Sequence, residues 1–319
     1  MTRPEDGASP AFILSSVTFT DMPARILVSG VSGPLGAALL PSLRERGYKA
    51  VRLVRGTASD VEQIRWDPSK PLPAESVSGF ETVIHLAGES IVGRWTAAKK
   101  ARIRDSRVLG TRNLAEALSR TVERPRILIT ASAVGYYGNR GDEFLREDSS
   151  PGQDFLAEVC RDWEGATKTA AQAGIRTANL RIGLILSLAG GALPRMLIPF
   201  RMGVGGTIGD GRQWWSWIDV KDVVGAIHHV MKTDQLQGPV NVVAPKPVTN
   251  TEFTKTLAEV LHRPAIFPMP AFAARLAFGK MADELLLASQ RVEPAKLLSS
   301  GYPFQHPELK PALEDILKG

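Results

Sequence analysis

One stretch of the chain constrains its fold more than any other: residues 25–40, which read RILVSGVSGPLGAALL. A short apolar strand pattern leads into Gly30, Gly33 and Gly36, and a helical pattern starts at Pro34. The first glycine permits a sharp turn, the second lets a pyrophosphate approach the backbone, and the third allows close packing of helix against strand. Proline suits the first helical position, and the free amides of a helix N-terminus attract phosphates. The stretch therefore predicts a dinucleotide site. Because its spacing is GxxGxxG rather than GxGxxG, glycines needed only for packing are the alternative interpretation.

The rest of the chain alternates strand and helix patterns, which is typical of an α/β protein with a doubly wound parallel sheet. Strands are predicted at residues 25–29, 50–54, 82–87, 126–130, 176–182 and 240–243, and helices at 34–46, 96–120, 154–173 and 219–231. From residue 245 the chain is rich in proline and helical, which indicates a smaller C-terminal lobe at the carboxyl edge of the sheet, where such folds bind ligands.

We expect three parts in this chain. Residues 1–23 form an extension, either loosely ordered or added to the sheet as an edge strand. Residues 24–245 form a Rossmann domain, with a loop excursion at 184–218 toward the substrate side. Residues 246–319 form the C-terminal lobe.

Composition and charge narrow the classes of protein further. The 319 residues carry a formal net charge of +6 and a single cysteine, Cys160, so no internal disulfide forms, which suits a reducing compartment. Much of the basic excess lies at residues 99–107, where it is distributed around a helix and predicts a solvated face rather than a nucleic-acid site. The N-terminal apolar run is too short for a signal peptide or a membrane span. We expect a cytoplasmic protein that acts on a small molecule, with no nucleic-acid or membrane partner, and leave a homodimer open.

The end of the second predicted strand indicates which dinucleotide the chain prefers. The strand ends LVRG, so Val54 and Arg55 occupy the place where NAD-binding folds usually carry an acid for the ribose 2′-hydroxyl. A guanidinium there suits a 2′-phosphate instead, and Asp60, the acid nearby, comes too late in the loop. The residues predict NADP(H), with a solvated arginine as the alternative.

Several motifs then indicate a family. GVSGPLG, VIHLAGES, LITASAVGYYG and NLRIGLILS follow the order found in the extended short-chain dehydrogenase/reductase superfamily. With LAGESI, RDSRVLGT, AEVCRDWE and GDGRQWWSWIDVKDV, the chain resembles an atypical branch of it: uncharacterised epimerase-family proteins, a human one among them, with a C-terminal domain of unknown function. The resemblance runs from residue 25 to the end, where ASQRVEPAKLLSSGYPF extends it into the lobe.

This resemblance implies a Rossmann fold that binds NADP(H). It also implies that Leu86, Ala87 and Gly88 line the cofactor's path and that Arg107 reaches toward its phosphates. The predicted cofactor-binding residues are Gly30, Ser32, Gly33, Pro34, Leu35, Gly36, Val54, Arg55, Leu86, Ala87, Gly88 and Arg107.

The chain departs from the superfamily at the catalytic pair. Superfamily oxidoreductases use Tyr-x-x-x-Lys, in which the lysine lowers the tyrosine pKa for proton transfer, but Leu156 and Cys160 stand at those positions here. Ser132 occupies the superfamily's serine position, where a hydroxyl would bind a substrate oxygen. Tyr136 follows it, with Arg140 four residues later as a substitute pair. The alternative is that Ser132 and Tyr136 are loop residues with local hydrogen bonds.

Other candidate residues stay ambiguous. Glu89 and Asp105 are acid–base candidates or parts of solvated faces. The segment GRQWWSWID indicates either core packing or a pocket wall in which Arg212 anchors an anion. The histidines lack metal-ligand spacing, and neither GxSxG nor GxxxxGK[ST] occurs, which argues against a metal site, a serine hydrolase and a P-loop nucleotidase.

Two functional hypotheses follow. One is an NADP(H)-dependent oxidoreductase or epimerase that acts on an unknown small metabolite without the usual pair. The other is a non-catalytic NADP(H)-binding sensor or scaffold.

Overall fold

The computed structural model describes residues 24–318, so the predicted extension at 1–23 lies outside the described residues. In chain order, the strands are β1 (Arg25–Ser29), β2 (Lys49–Val54), β3 (Gln63–Arg65), β4 (Thr82–His85), β5 (Ile127–Ala133), β6 (Phe144–Leu145), β7 (Arg176–Ile182), β8 (Leu184–Leu186), β9 (Trp214–Trp215), β10 (Trp217–Asp219), β11 (Gly238–Val242), β12 (Val248–Thr249) and β13 (Arg291–Val292). The helices are α1 (Pro34–Glu45), α2 (Ala97–Arg120), α3 (Phe155–Gly165), α4 (Lys168–Gln172), α5 (Leu193–Arg201), α6 (Val220–Lys232), α7 (Asn250–Leu261), α8 (Ala271–Phe278), α9 (Ala295–Ser299) and α10 (Leu309–Lys318).

Seven of these strands form one parallel sheet in the order β11-β7-β5-β4-β1-β2-β3. The chain builds outward from β1 to β3 and then returns to the other side of β1 at β4, so the strand order reverses between β1 and β4. Doubly wound sheets bind their ligands at the carboxyl ends of the strands that flank such a reversal. The predicted fold class is confirmed.

Most predicted elements are found within two residues of their predicted bounds, and three larger differences occur in the main sheet and its helices. The helix predicted at 154–173 is two helices, α3 and α4, because the chain turns at residues 166–167, where the Thr167 hydroxyl donates to the Glu164 carbonyl at 2.8 Å. The strand predicted to end at residue 130 continues to Ala133, since β5 pairs with β7 as far as Ile182. Strand β3 was not predicted, because three residues are too few to show an alternating pattern.

Side chains from both faces of the sheet form the main core. One face buries Ile26, Val28 and Ile84 under α1 and α6, and the other buries Leu27 and Val83 under α2. Each fully buried aliphatic side chain of this kind contributes about 1.5–3 kcal/mol. The alternation along β1 thus places helices on both faces and leaves the carboxyl edge free for a site.

A second core joins the chain after β7 to the C-terminal region. Trp215 and Trp217 are buried here with Phe253 and Leu257 of α7 and Leu313 of α10. Core packing is therefore the correct interpretation of these two tryptophans. The predicted boundary at residues 245–246 stays a prediction.

A cluster of charged side chains near the C-terminus links α10 to the start of α6. Asp219 and Asp315 flank the His306 ring, at 2.6 Å from Nδ1 and 3.7 Å from Nε2, and the Lys221 ammonium donates to Asp315 at 2.6 Å. Because the two carboxylates contact different ring nitrogens and one of them binds a lysine, we interpret the group as a structural tie rather than a metal site. Within residues 24–318, no helix is long and apolar enough to cross a membrane.

Candidate functional site

The glycine turn lies at the carboxyl end of β1, beside the chain that leaves β4. Gly30 adopts φ +77°, a conformation that favours glycine, and a Cβ there would lie 2.5 Å from the carbonyl carbon of Leu86. Gly36 is equally constrained, because a Cβ would lie 2.5 Å from the Gly30 carbonyl oxygen. Both glycines are therefore required by the packing of the chain itself.

Gly33 differs from the other two glycines. Its backbone is extended (φ −81°, ψ 161°), and a Cβ would meet one atom within 4 Å, the Gly30 carbonyl oxygen at 3.4 Å. The N-cap residue of α1 is Gly33, which has no side chain to cap the helix, so the amides of the first turn, among them those of Leu35 and Gly36, lack an intrahelical acceptor. The packing of this chain does not require a glycine at position 33, but the close approach of a pyrophosphate would.

The other predicted residues of the turn lie around this space. Pro34 is the first residue of α1, as predicted, and the exposed Ser32 precedes it in the turn. A Cβ at Gly190 would lie 2.7 Å from Pro34 Cγ, so the loop after β8 packs against the first turn of α1. The predicted excursion of the chain thus borders the glycine turn.

The segment that follows β4 lies beside the glycine turn. A Cβ at Gly88 would lie 3.1 Å from the Arg107 guanidinium carbon, and that guanidinium donates to the Glu89 carbonyl at 2.9 Å and lies 5.1 Å from the Trp163 ring centroid. Burial lowers the pKa of Arg107, and no carboxylate of residues 24–318 forms a salt bridge with it. Arg107 is therefore a largely buried cation beside Gly88 and the Glu89 carbonyl rather than a solvated surface residue.

The end of β2 offers a second cation. Val54 is the last residue of β2, and Arg55 follows it, exposed and without a salt bridge to any carboxylate of the described residues. Asp60 pairs with Arg52 at 2.7 Å. The position next to Arg55 therefore has no acid from this loop, as the sequence indicated.

The catalytic candidates meet at a buried ion pair that the sequence did not reveal. Glu164 of α3 and Arg181 of β7 form a bidentate pair at 2.8 and 2.9 Å. The Ser132 hydroxyl donates to Glu164 at 2.8 Å, and the Arg181 guanidinium lies 3.4 Å from the centroid of the Tyr136 ring. Ser132 and Tyr136 are thus brought together, but through this ion pair. An arginine inside the apolar run NLRIG was the available signal.

The pair suggested by spacing, Tyr136 with Arg140, does not form. Arg140 binds the Glu143 carboxylate at 2.7 and 2.8 Å and the Ser150 carbonyl at 3.0 Å. Tyr136 lies on a 3₁₀ turn rather than in an α-helix, so the four-residue spacing does not align the two side chains. Arg181 is the cation that contacts Tyr136.

The two α3 positions at which the resemblance places the superfamily's pair contain no group suited to proton transfer. Leu156 and Cys160 are both buried, and burial raises the pKa of the Cys160 thiol to about 12, so the thiol is neutral. Glu284, on a π-helical turn of the C-terminal region, accepts a hydrogen bond from the Leu156 amide at 3.0 Å. Burial, and then the neighbouring Asp154, raise the pKa of Glu284. A carboxyl group with a raised pKa therefore lies beside Leu156, where the resemblance to the superfamily places the tyrosine.

The remaining sequence candidates lie outside this centre. Asp105 is exposed on α2, and Arg212 is exposed beside Gly211. Trp214 is half-buried and donates to Asp142 at 2.8 Å, while Arg291 lies 4.1 Å from its ring centroid. The structure thus gives no anchoring contact to Arg212.

Sheet order and glycine turn together define a dinucleotide-binding Rossmann protein of the short-chain dehydrogenase/reductase type. The chain belongs to the NAD dependent epimerase/dehydratase family, whose model matches residues 26–243, and a domain of unknown function (DUF1731) matches residues 269–316. The resemblance inferred from the motifs is confirmed.

Individual relatives agree with this assignment. The chain is 40% identical to epimerase family protein Mb2239 of Mycobacterium bovis over 294 residues, 91% of this chain and 96% of that protein. The crystal structure of human epimerase family protein SDR39U1 with NADPH is 32% identical, covers 92% of this chain and 99% of its own, and superimposes with a TM-score of 0.85. A nucleoside-diphosphate sugar epimerase from Corynebacterium glutamicum is 37% identical, with a TM-score of 0.78 over 92% of this chain and 58% of its own.

Proposed function

We propose that this protein binds NADP(H) at the glycine turn, with the predicted cofactor-binding residues around it. The space in front of Gly33 carries the proposal, because residues 24–318 place only the Gly30 carbonyl oxygen within 4 Å of a Cβ there, at the N-terminus of α1. Arg107 and Arg55 add two cations that form no salt bridge with a carboxylate of residues 24–318, and the human relative was solved with NADPH. The bound cofactor would supply hydride chemistry.

We further propose that the protein is an oxidoreductase or epimerase acting on a small metabolite. Ser132 and Tyr136 lie together at the carboxyl end of β5, and the Glu164–Arg181 pair holds both in place. In this proposal Ser132 binds a substrate oxygen, while the loop after β8 and the C-terminal region limit the access of water to the site.

The residues at two positions of α3 favour a second function. Because Leu156 and the neutral Cys160 replace the superfamily's proton-transfer pair, a protein that binds NADP(H) without catalysis explains these two positions directly. It would act as a sensor or a scaffold.

A metabolite screen separates the two functions. The purified protein is incubated with NADPH, or with NADP⁺, and a panel of carbonyl, hydroxyl and nucleotide-sugar compounds, and the NADPH absorbance is followed. Turnover of any compound, lost in a variant that does not bind cofactor, supports the enzyme. Tight NADPH binding without turnover across the panel supports the sensor or scaffold.

Arg55 should determine the cofactor preference. We expect NADPH to bind more tightly than NADH, and Arg55→Asp to abolish or reverse that preference, since it replaces a cation suited to the 2′-phosphate with an acceptor for the ribose hydroxyl. Fluorescence titration of both cofactors measures the ratio of dissociation constants, and Arg120→Asp, at the C-terminal end of α2, serves as the control. Equal affinities in the unmutated protein would contradict the assignment.

Tyr136 and Ser132 should contribute unequally once a substrate is found. Because Tyr136 stacks on Arg181 and no lysine accompanies it, Tyr136→Phe should reduce kcat by less than the about 100-fold expected for loss of a general acid. Ser132→Ala should reduce kcat at least as much as Tyr136→Phe, since a substrate oxygen needs a donor whichever group moves the proton. Steady-state kinetics with Tyr48→Phe as control test this. A thousandfold loss at Tyr136 with none at Ser132 would reverse the assignment.

A further inference from the structure

Exposed apolar side chains are concentrated in two segments of this protein. Of the fifteen large apolar side chains that lie exposed within residues 24–318, eight belong to residues 198–204 and 266–276. Phe272 and Leu276 are 72% and 79% exposed. Single exposed apolar side chains are ordinary on a protein surface, but a contiguous group of them usually marks a binding surface. We call these two segments the apolar surface.

Backbone hydrogen bonds hold the two segments side by side. The Phe267 amide donates to the Gly205 carbonyl at 3.1 Å. Two residues further on, the Met269 amide donates to the Thr207 carbonyl at 2.8 Å. A Cβ at Gly206 would lie 2.0 Å from the Phe267 carbonyl oxygen, so the two backbones are in contact there. The two segments therefore form one surface rather than two separate patches.

The helices of the apolar surface carry their exposed side chains on defined faces. Ala274 is the buried residue of α8, and it lies two positions from both Phe272 and Leu276. Because residues two apart point to nearly opposite sides of a helix and residues four apart share a face, Phe272 and Leu276 form one apolar stripe. On α5, the exposed Ile198 shares a face with the exposed Arg195, three residues earlier. Within residues 24–318, no side chain buries the stripe of α8.

The apolar surface continues into the candidate site from both segments. At the end of α8, Phe278 packs in one apolar cluster with Leu285 and with Leu156 of α3. Before α5, the loop at Gly190 packs against Pro34 of the glycine turn. A ligand on the apolar surface therefore lies beside the proposed cofactor site, which is where the substrate of an NADP(H)-dependent enzyme has to bind.

The formal charges around the apolar surface are positive. Residues 187–209 and 260–282 contain arginines and a lysine but no aspartate or glutamate. Arg195 and Arg201 are exposed, and neither forms a salt bridge with a carboxylate of residues 24–318. Because surface cations without acidic neighbours attract anions, the complementary ligand has a negative charge as well as an apolar part.

We propose that the apolar surface binds the hydrocarbon part of the substrate, and that the substrate is an amphipathic anion: a carbonyl or hydroxyl compound with a hydrocarbon chain and a negatively charged group. This inference rests on the proposed NADP(H)-dependent reaction and names the chemical class of its substrate. The chain lies along the stripe of Phe272 and Leu276 on α8, a helix about 12 Å long. Arg195 contacts the negative charge, while burial of the chain supplies most of the affinity.

A series of alkanoates tests the proposal by binding alone. Hexanoate, octanoate, decanoate and dodecanoate, each below its micelle concentration, compete with the fluorescent fatty acid dansylundecanoate for the full-length protein. We expect the affinity to rise about 2- to 4-fold for each added methylene, since each one is transferred from water to an apolar surface. Affinities that do not depend on chain length would overturn the inference.

Substitutions on α8 locate the site of the chain. Phe272→Ser/Leu276→Ser should weaken decanoate at least about 10-fold and flatten the dependence on chain length. Both side chains are exposed, so the fold should accept the change. The control is Val122→Ser, which removes a 97% exposed apolar side chain just after α2 and should have no effect. Equal losses in the two variants would contradict a site on α8.

A charge variant tests the anionic group separately. Arg195→Met should weaken decanoate about 3- to 10-fold and leave decanol, which has no charge, unchanged. Arg112→Met removes an exposed arginine of α2 as the control and should change neither ligand. Equal weakening of decanoate and decanol by Arg195→Met would show that Arg195 does not contact the charge.

Three further measurements separate a substrate surface from other occupants. With NADPH bound, saturating decanoate should raise the nicotinamide fluorescence, because the chain excludes water from the neighbouring cofactor; unchanged fluorescence would overturn the inference. Self-association that Phe272→Ser/Leu276→Ser abolishes, or binding to phosphatidylglycerol vesicles without binding of monomeric alkanoates, would assign the surface to a second copy or to a membrane and also overturn it. Failure to bind NADPH would instead overturn the proposed function, and alkanoate titrations without cofactor keep the two failures apart.

Discussion

Replacing Gly33 by valine should abolish NADPH binding while unfolding stays cooperative. A Cβ at this position has room within the chain, so the fold accepts the substitution, but the side chain fills the space in front of the α1 amides where a pyrophosphate would lie. We expect affinity to fall by at least about 100-fold, which is about 2.8 kcal/mol. Isothermal titration of NADPH measures the loss, and urea denaturation measures the stability.

Substitutions at two other glycines serve as controls for this result. Gly165→Val adds the same side chain at another open position, on α3, and should leave NADPH affinity unchanged. Gly36→Ala should instead destabilise the fold, because its Cβ would lie 2.5 Å from a backbone oxygen. Normal NADPH binding by Gly33→Val would show that this glycine serves only the turn.

Arg181→Met should produce the second large effect, on stability. Arg181 is 3% exposed and holds Glu164 through two hydrogen bonds, and it also donates to the Tyr137 hydroxyl at 3.0 Å. Its removal leaves the Glu164 carboxylate buried without a counter-charge, which costs about 3–5 kcal/mol. Urea denaturation measures the change in the free energy of unfolding.

The control is a salt bridge at the surface. Arg126, 53% exposed, pairs with Asp234, so Arg126→Met should cost no more than about 1 kcal/mol. The double variant Arg181→Met/Glu164→Leu should recover part of the loss, since it removes both buried charges. If Arg181→Met destabilises the protein no more than Arg126→Met does, the ion pair does not hold the centre together.

Much of the fold was predictable because its signals are local. The glycine turn and the apolar strand pattern of β1 each depend on residues within a few positions. The same holds for Arg55, whose place at the end of β2 follows from the length of one strand. Strand β3 and the break between α3 and α4 were not predicted, because a three-residue strand and a two-residue turn leave no periodic signal.

The candidate centre was predictable only in part. Ser132 and Tyr136 could be placed near each other, since both lie at the end of one strand. Their actual partners are distant in sequence: Glu164, 32 residues from Ser132, accepts a hydrogen bond from its hydroxyl, and Arg181 of β7 lies over the Tyr136 ring. Spacing suggested Arg140 as the partner of Tyr136, but the chain has no helix there to align them.

The sequence by itself determined a dinucleotide-binding fold, the position of its glycine turn and the absence of any tyrosine followed by lysine four residues later. These depend on backbone conformation and on which residue types stand at given positions, both of which are local. Only the tertiary structure decided that Gly33 faces open space while Gly30 and Gly36 are packed, and that Arg181 replaces Arg140 beside Tyr136. The physical reason is that steric room and ion pairing depend on atoms from strands and helices far apart in the chain, which meet only when the sheet forms.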